Sequence, residues 1–298
     1  MGGYSDGGTA GNESGQTDME WWQSIILGVV EGVTEFLPVS STGHLTVVEK
    51  LFGLPIDGPS VTAYTAVIQV GAMIASIVYF RSDIVRIGSA WFRGLRAGEG
   101  RRDPDYQLGW AVIVGFCTTA SIALLLRDLV EGPFRSLWFV AGGLLGWSVV
   151  MFLGDRLGKQ SRGEHSITWT DGLLLGLLQS VSLVPGVSRS GATISGAMLM
   201  GIDRVTATRM SFFLGIPTLV AAGGYQAVTA ASAIGGAGGV GWSATLIGTV
   251  VSFVVAYASI AWLLRFVQKN DFTAFVVYRV ALGLVIIVLL VAGVISPV

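Results

Sequence analysis

The sequence predicts an all-α, polytopic membrane protein, and three observations support this fold class: its composition, its glycine content and the length of its apolar runs. Of the 298 residues, 52% are hydrophobic and only 12% are charged, and the mean hydropathy is +0.69. Soluble domains carry about 25% charged residues, so this composition excludes a soluble enzyme. The 42 glycines fit as well, because membrane helices tolerate glycine better than soluble helices do. The net charge of −1 leaves no basic surface for a nucleic acid.

Residues 1–20 differ from the rest of the chain. They are rich in Gly, Ser and Thr, and they contain acidic residues but no Lys or Arg. Because a signal peptide needs a basic start before its apolar core, we predict a disordered N-terminal tail here. Residues 21–298 are predicted to form a single integral membrane domain.

Five uncharged runs are long enough, or nearly so, to cross a bilayer as helices, which takes about 20 apolar residues. They are residues 58–80, 106–126, 136–154, 210–264 and 280–298. The fourth run is too long for one helix and contains an Ala/Gly-rich stretch at 230–241, so it is predicted to form two. The sequence therefore predicts six transmembrane helices.

Two further apolar regions, residues 21–54 and 172–202, are interrupted near the middle by Pro, Gly and Ser. Neither half of either region is long enough to span, which is typical of re-entrant helix pairs beside a binding site. Irregular backbone at that depth must be buried in protein or line a wet cavity. We therefore expect the functional residues in these two regions.

The two interrupted regions align with each other at an offset of 148 residues. The offset pairs, among others, Gly28 with Gly176, Glu31 with Gln179, Ser40 with Ser188, Gly43 with Gly191 and Gly53 with Gly201. These coincidences predict an internal duplication, with halves of about 21–154 and 170–298. Each half holds one re-entrant pair and three spans, and an odd number of spans inverts the second half. We therefore predict an inverted-topology repeat whose re-entrant pairs meet near the midplane.

Basic residues are distributed unevenly over this predicted topology. Fourteen of the 18 Lys and Arg residues, Arg279 included, fall on one side, three fall on the other, and Arg189 lies inside the second interrupted region. By the positive-inside rule the richer side faces the cytoplasm. The prediction is a multi-pass protein of the plasma (cytoplasmic) membrane, with both termini and the active-site opening on the outer face.

The first interrupted region carries two acids, Glu31 and Glu35, which share one face of a helix because they are four residues apart. Ionisable groups are costly inside a membrane and indicate function. Like charges this close favour a shared proton or cation, and Mg²⁺ or Ca²⁺ suits carboxylate ligands. An interfacial helix with solvated glutamates is the simpler alternative.

Hydroxyl side chains follow these acids at Ser40, Ser41 and Thr42, and His44 comes next. A serine three residues before a histidine is compatible with a serine nucleophile and its base, or with a histidine nucleophile and an orienting hydroxyl. An N-cap at the start of the second short helix is the alternative explanation.

The second interrupted region is built to bind an anion. A Pro-Gly break at residues 185–186 is followed by a new helix, whose N-terminus offers backbone N–H groups. Arg189 adds a planar fork suited to phosphate, and it is predicted to be the only basic residue within a hydrophobic segment. The hydroxyls available are Ser188, Ser190 and Thr193. Snorkelling of the arginine to the interface is the alternative.

Together the two regions predict phosphoryl transfer to water, with the charge on the transferred group held by a metal ion and an arginine. A substrate that reaches the midplane from the bilayer is a lipid phosphate or diphosphate. A lipid-phosphate flippase or transporter is the main alternative, because inverted repeats with broken helices are also a transporter architecture. A structural scaffold would leave the buried ionisable residues unexplained.

These motifs resemble those of a known family. Glu31-x-x-x-Glu35 followed by residues 36–44 resembles the acidic motif of the undecaprenyl-diphosphate phosphatases, also called bacitracin-resistance proteins, and residues 185–193 match that family's PGxSRSxxT motif. The resemblance covers about residues 21–298. It implies a hydrolase that removes the terminal phosphate of undecaprenyl diphosphate and so recycles the carrier lipid for peptidoglycan synthesis. It also implies dependence on a divalent cation.

The resemblance implies a role for each motif residue. Glu31 and Glu35 would take metal or proton duties. Ser41 would be the nucleophile or its aligned hydroxyl, with His44 beside it, and the motif does not decide which of the two attacks. Arg189 would hold the diphosphate. The residues expected to help bind it are Ser40, Thr42, Ser188, Ser190 and Thr193. The expected partners are the lipid substrate, the membrane and a second copy of the chain in a homodimer, with no nucleic acid.

Overall fold

The computed structural model describes residues 19–55, 58–96, 98–131, 136–234 and 240–296. Within these ranges the regular secondary structure is helical, apart from one isolated β-bridge between Arg162 and Ile202. Nearly all of the predicted N-terminal tail lies outside the described residues. The helices are α1 (Trp21–Thr34), α2 (Ser41–Leu51), α3 (Pro59–Tyr79), α4 (Arg81–Arg96), α5 (Pro104–Leu125), α6 (Arg127–Glu131), α7 (Leu137–Leu157), α8 (Trp169–Ser180), α9 (Arg189–Leu199), α10 (Arg204–Ile234), α11 (Trp242–Phe266) and α12 (Thr273–Val291).

Six of these helices are long and apolar enough to cross a membrane, namely α3, α5, α7, α10, α11 and α12. This confirms the predicted number of spans. The run at 210–264 divides as expected, because α10 ends at Ile234 and α11 begins at Trp242. One predicted boundary is wrong, since the last helix begins at Thr273 and not at residue 280. The helix continues through Arg279, because the protein interior satisfies this charge.

Helix α4 is a finding that the search for apolar runs did not predict. It follows α3 directly and is amphipathic, with Ile87, Ala90 and Gly94 buried and arginines on its exposed side. Its buried face packs closely on α5, where a Cβ added to Gly94 would lie 2.2 Å from the Tyr106 ring. Because charged and apolar residues alternate along α4, it has no uninterrupted apolar run long enough to span a membrane. A search for such runs therefore does not detect it.

The two interrupted regions form two pairs of short helices, α1 with α2 and α8 with α9. At 1.5 Å per residue, even α1, with its 14 residues, reaches only about 21 Å and falls short of the roughly 30 Å hydrocarbon core. The second helix of each pair follows a serine in the left-handed region, Ser40 with φ 75° and Ser188 with φ 74°. This conformation is uncommon for residues other than glycine, and it occurs at two positions that the sequence offset pairs.

Packing around the short helices also follows the offset. Helix α1 packs on α11, and α8 packs on α5. A Cβ added to Gly28 would lie 2.6 Å from the Gly248 carbonyl oxygen, and one added to Gly176 would lie 2.4 Å from the Gly115 carbonyl oxygen. Glycine is therefore required at both crossings, because the backbones approach too closely for any side chain.

A network of ion pairs joins the two halves at one end of the helices. Arg86 pairs with Asp83, Asp105 and Glu164, while Arg209 pairs with Glu164 at 2.5 Å and with Asp83 at 2.8 Å. The network connects α4 and the start of α5 with α10 and the segment before α8. The network therefore fixes these helix ends relative to one another.

Candidate active site

Two breaks in the helices meet at the centre of the molecule. We call residues 35–40, between α1 and α2, the first break, and residues 181–188, between α8 and α9, the second break. Glu35 lies at the start of the first break, and Arg189 follows the second break as the first residue of α9. The Arg189 Nη2 atom lies 2.7 Å from Glu35 Oε1, and both side chains are mostly buried. The acidic and basic motifs are therefore in direct contact.

Ser41 contacts the same carboxylate from the other side. It is the first residue of α2, and its Oγ donates a hydrogen bond to Glu35 Oε2 at 2.7 Å. Glu35 therefore lies between a hydroxyl and a guanidinium, with one oxygen bound to each. A carboxylate that accepts a hydrogen bond from a serine is placed to take its proton.

Glu31 is the most unusual carboxylate of the site. It lies one turn before Glu35 on α1 and is only 1% exposed. Its Oε1 has no hydrogen-bond partner among the described residues. Buried acceptors are nearly always paired, so this oxygen is a candidate position for a proton, a water or a cation.

A divalent cation fits these two carboxylates only in part. No group of three His, Cys, Asp or Glu residues that could hold a metal occurs in the described ranges. Mg²⁺ usually keeps several waters and takes one or two carboxylates together with substrate phosphates. Glu31, with its unpaired oxygen, and Glu35 supply the carboxylate part of that ligand set.

His44 is bound differently from the predicted serine–histidine pair. Its Nδ1 lies 2.7 Å from the Ser40 carbonyl oxygen and its Nε2 lies 2.6 Å from the Tyr278 hydroxyl. The two rings also stack, with centroids 5.6 Å apart. Both ring nitrogens are therefore engaged, and the hydrogen bond from Ser41 goes to Glu35 instead. Sequence analysis did not identify Tyr278, which lies 234 residues further along the chain.

The hydroxyls of the second motif mostly hold the backbone. Ser188 Oγ accepts from the Gly191 N–H at 3.2 Å and caps α9, and Ser190 Oγ donates to the Leu37 carbonyl oxygen at 3.1 Å across the two breaks. Thr193 is fully buried and donates to the Arg189 carbonyl oxygen at 3.0 Å. Of the first-motif hydroxyls, Ser40 is buried, whereas Thr42 is exposed.

Arg279 is a central residue that sequence analysis assigned wrongly. It was expected at the cytoplasmic side, with Arg189 as the only basic residue inside a hydrophobic segment. Instead its side chain is completely buried and donates to the Pro38 carbonyl oxygen at 3.0 Å and to the Gly186 carbonyl oxygen at 2.9 Å. It therefore ties the first break to the second. The one available signal was its position inside a helix-forming stretch, residues 273–291.

Comparison with known proteins identifies the family of this chain. The family model described as bacitracin resistance protein BacA matches residues 24–285. The chain belongs to this family. All the site residues described above, from Glu31 to Arg279, lie within the matched range.

Individual members of the bacitracin resistance family are similar over almost the whole chain. A Cutibacterium acnes protein named undecaprenyl-diphosphatase is 54% identical over 283 residues, which cover 93% of this chain and 100% of the relative. A Streptomyces coelicolor protein named undecaprenyl-diphosphatase 1 is 52% identical over 273 residues, covering 91% and 96%. A Frankia casuarinae protein named undecaprenyl-diphosphatase 3 is 51% identical over 274 residues, covering 92% and 98%.

Proposed function

We propose that this protein hydrolyses undecaprenyl diphosphate to undecaprenyl monophosphate and inorganic phosphate, and so recycles the lipid carrier for cell-wall glycan synthesis. The contact of Glu35 with both Ser41 and Arg189 carries the proposal, because it unites a nucleophile, a proton acceptor and an anion-binding cation in one buried site. The names of the relatives support hydrolysis of this diphosphate. They lend no support to the flippase alternative.

The hydrogen bond from Ser41 to Glu35 favours Ser41 over His44 as the nucleophile. As Glu35 takes the hydroxyl proton, Ser41 Oγ attacks the terminal phosphorus, and the bond from that phosphorus to the bridging oxygen breaks. Undecaprenyl monophosphate leaves with the bridging oxygen. Water then hydrolyses the phosphoserine, which releases inorganic phosphate and restores the Ser41 hydroxyl.

Arg189 provides the electrostatic part of the mechanism. Its guanidinium begins α9, so the positive end of that helix and the permanent charge of the side chain act on the same anion. In the free protein Glu35 neutralises this charge. When the diphosphate binds, Arg189 exchanges part of its contact with Glu35 for phosphate oxygens, which frees Glu35 to accept the proton from Ser41.

Glu31 and Glu35 would hold the divalent cation, Mg²⁺ or Ca²⁺. When bound, the cation would neutralise charge on the phosphate oxygens and polarise the phosphorus–oxygen bond. The unpaired Glu31 oxygen supports this assignment. His44 lies in the first turn of α2, where it contacts the Ser40 carbonyl oxygen and the Tyr278 hydroxyl. These two contacts orient the first turn.

The proposal includes an inverted repeat with two re-entrant helix pairs. Its support is the shared positive φ of Ser40 and Ser188, together with the matched glycine crossings at Gly28 and Gly176. The orientation is part of the proposal, with both termini and the site opening on the outer face, as the distribution of basic residues predicts. A homodimer stays a prediction.

Phosphate release from a lipid substrate tests this function. The full-length protein, purified in detergent, is mixed with undecaprenyl diphosphate and Mg²⁺ or Ca²⁺, and inorganic phosphate is measured with and without a chelator. We expect release that the chelator abolishes and that added cation restores. If the protein releases no phosphate but moves polyprenyl phosphate between leaflets of a vesicle, the flippase alternative is correct.

A further inference from the structure

An apolar cavity lies beneath α4, apart from the candidate active site. Its volume is about 240 Å³. Residues from three helices line it, among them Ile84, Gly88 and Trp91 of α4, Ile113 of α5, and Phe213 and Pro217 of α10. Pockets that hold a whole small ligand measure roughly 300–1,000 Å³. This cavity therefore fits part of a larger apolar molecule, such as a segment of an acyl chain.

Trp91 contributes apolar ring atoms to this lining. Its indole Nε1 is buried and has no hydrogen-bond acceptor among the described residues. Buried tryptophan N–H groups usually find a partner, and an unpaired one is costly. A chain in the cavity therefore contacts the apolar atoms of Trp91, while its N–H lies behind the cavity wall.

The surface around α4 is strongly basic. Residues 81–102 contain six arginines and only two acidic residues, Asp83 and Glu99. Arg86 is engaged in the ion-pair network, and Arg93 Nη2 lies 3.5 Å from Asp103 Oδ2. The arginines at the far end of α4 and in the turn after it are exposed, namely Arg93, Arg96, Arg101 and Arg102. Val85 and Phe92, 69% and 59% exposed, add an apolar surface beside them. Such a helix is typical of the interface of an anionic leaflet.

We propose that α4 and the cavity beneath it bind an anionic diacyl phospholipid. One acyl chain occupies the cavity, and the headgroup lies against the arginines at the end of α4. The apolar cavity and the basic surface each correspond to one part of this molecule.

The position of the cavity distinguishes this site from the substrate site. Gly215 of α10 faces the active site, since its carbonyl oxygen accepts a hydrogen bond from Arg189 at 3.2 Å. Phe213 and Pro217 of the same helix line the cavity, and Gly215 does not. Helix α10 therefore stands between the cavity and the Arg189 guanidinium. A lipid in the cavity makes no contact with the residues proposed for hydrolysis.

Native mass spectrometry of the full-length protein with phosphatidylglycerol or phosphatidylcholine of equal chain length tests the proposal. We expect wild type to retain phosphatidylglycerol preferentially. In Gly88→Leu, the new side chain enters open space, because an added Cβ meets no atom within 4 Å, and it fills the cavity, so retention should fall at least tenfold. Gly224→Leu, which also meets open space but lies towards the other end of α10, is the matched control and should retain the lipid.

Two further variants separate the headgroup from the chain. Arg96→Gln with Arg102→Gln should lower the preference for phosphatidylglycerol by about fivefold for each arginine, with little effect on phosphatidylcholine. Trp91→Ala removes the aromatic part of the cavity wall, and it should weaken retention of both lipids. Because these variants leave the cavity open, they also test the proposal if Gly88→Leu fails to fold.

Three outcomes would overturn the proposal. Equal retention of both lipids by wild type would remove the role of the basic surface. Full retention by folded Gly88→Leu would place the lipid elsewhere. Retention of polyprenyl phosphate but of neither diacyl lipid would make the cavity part of the substrate site. All of these measurements detect bound lipid, so they do not depend on the hydrolase activity proposed above.

Discussion

The first and second breaks share one backbone design but carry different chemistry. Both end in a serine with φ near 75°, and both lead into an 11-residue helix. The offset that pairs Ser40 with Ser188 also pairs the first residues of those helices, Ser41 and Arg189. These two side chains bind the two oxygens of Glu35. The comparison teaches that two positions paired by the sequence offset can carry different side chains and supply opposite parts of a single site.

Glu31 and Gln179, which the offset also pairs, are equally buried but have different partners. Gln179 corresponds to Glu31 and is completely buried, with its amide nitrogen donating to Thr119 and Thr218, each at 3.2 Å, and its oxygen accepting from Thr193 at 3.3 Å. Glu31 is equally buried, yet its Oε1 has no such partner. The same paired position therefore contacts three threonines in one region, and in the other it has a carboxylate oxygen without a partner among the described residues.

The largest expected loss of activity comes from replacing Arg189, the basic residue that follows the second break. Arg189→Ala removes the charge that the second break contributes, and we expect phosphate release from undecaprenyl diphosphate to fall by about 10²–10³-fold. The matched control is Arg265→Ala, at an exposed position near the end of α11, which should keep wild-type activity. Equal activity in the two variants would show that the second break binds no reacting phosphate.

Ser41→Ala tests the equivalent position in the first break. Because the variant lacks the attacking oxygen, we expect a loss of about 10²-fold or more. Rapid acid quenching of wild type during turnover, followed by peptide mass spectrometry, should detect phosphate on Ser41. Phosphate on His44, or undiminished activity in Ser41→Ala, would contradict the proposed nucleophile. Ser82→Ala, at an exposed serine of α4, is the control.

Glu31→Gln and Gln179→Ala test the second pair of positions. Glu31→Gln should lower activity by at least about tenfold and weaken the response to added cation, while thermal stability is kept because a costly buried charge is removed. Gln179→Ala should lower the free energy of unfolding by about 1–3 kcal/mol, since three threonines lose a partner. Its activity per folded molecule should persist. The comparison fails if the two variants exchange these effects.

Arg279 joins the two breaks. Its replacement is expected to change the chemistry least but to lower stability clearly. Arg279→Met leaves the carbonyl groups of Pro38 and Gly186 without their donor, so the free energy of unfolding should fall by at least about 2 kcal/mol. Arg156→Met, at a largely exposed arginine, should change thermal unfolding little. A stable Arg279→Met protein would mean that the breaks are held together by other contacts.

Local sequence was sufficient to predict the number of spans and both motifs. Six helices follow from apolar length, and the broken regions follow from Pro, Gly and Ser within apolar runs. Helix α4 was missed because its charges interrupt the apolar run, although its period is that of an amphipathic helix. Arg279 was misplaced because a charge inside a span is costly, and only its buried carbonyl partners compensate for it.

The sequence by itself determined the two motifs and the positions that the offset pairs, because both depend only on order along the chain. The tertiary structure decided their partners. Ser41 binds Glu35 and not His44, His44 binds Tyr278, and Arg279 joins the two breaks. Arg189 and Glu35 lie 154 residues apart, and Tyr278 and His44 lie 234 apart. Contacts over such separations depend on helix packing, which hydropathy and spacing do not encode.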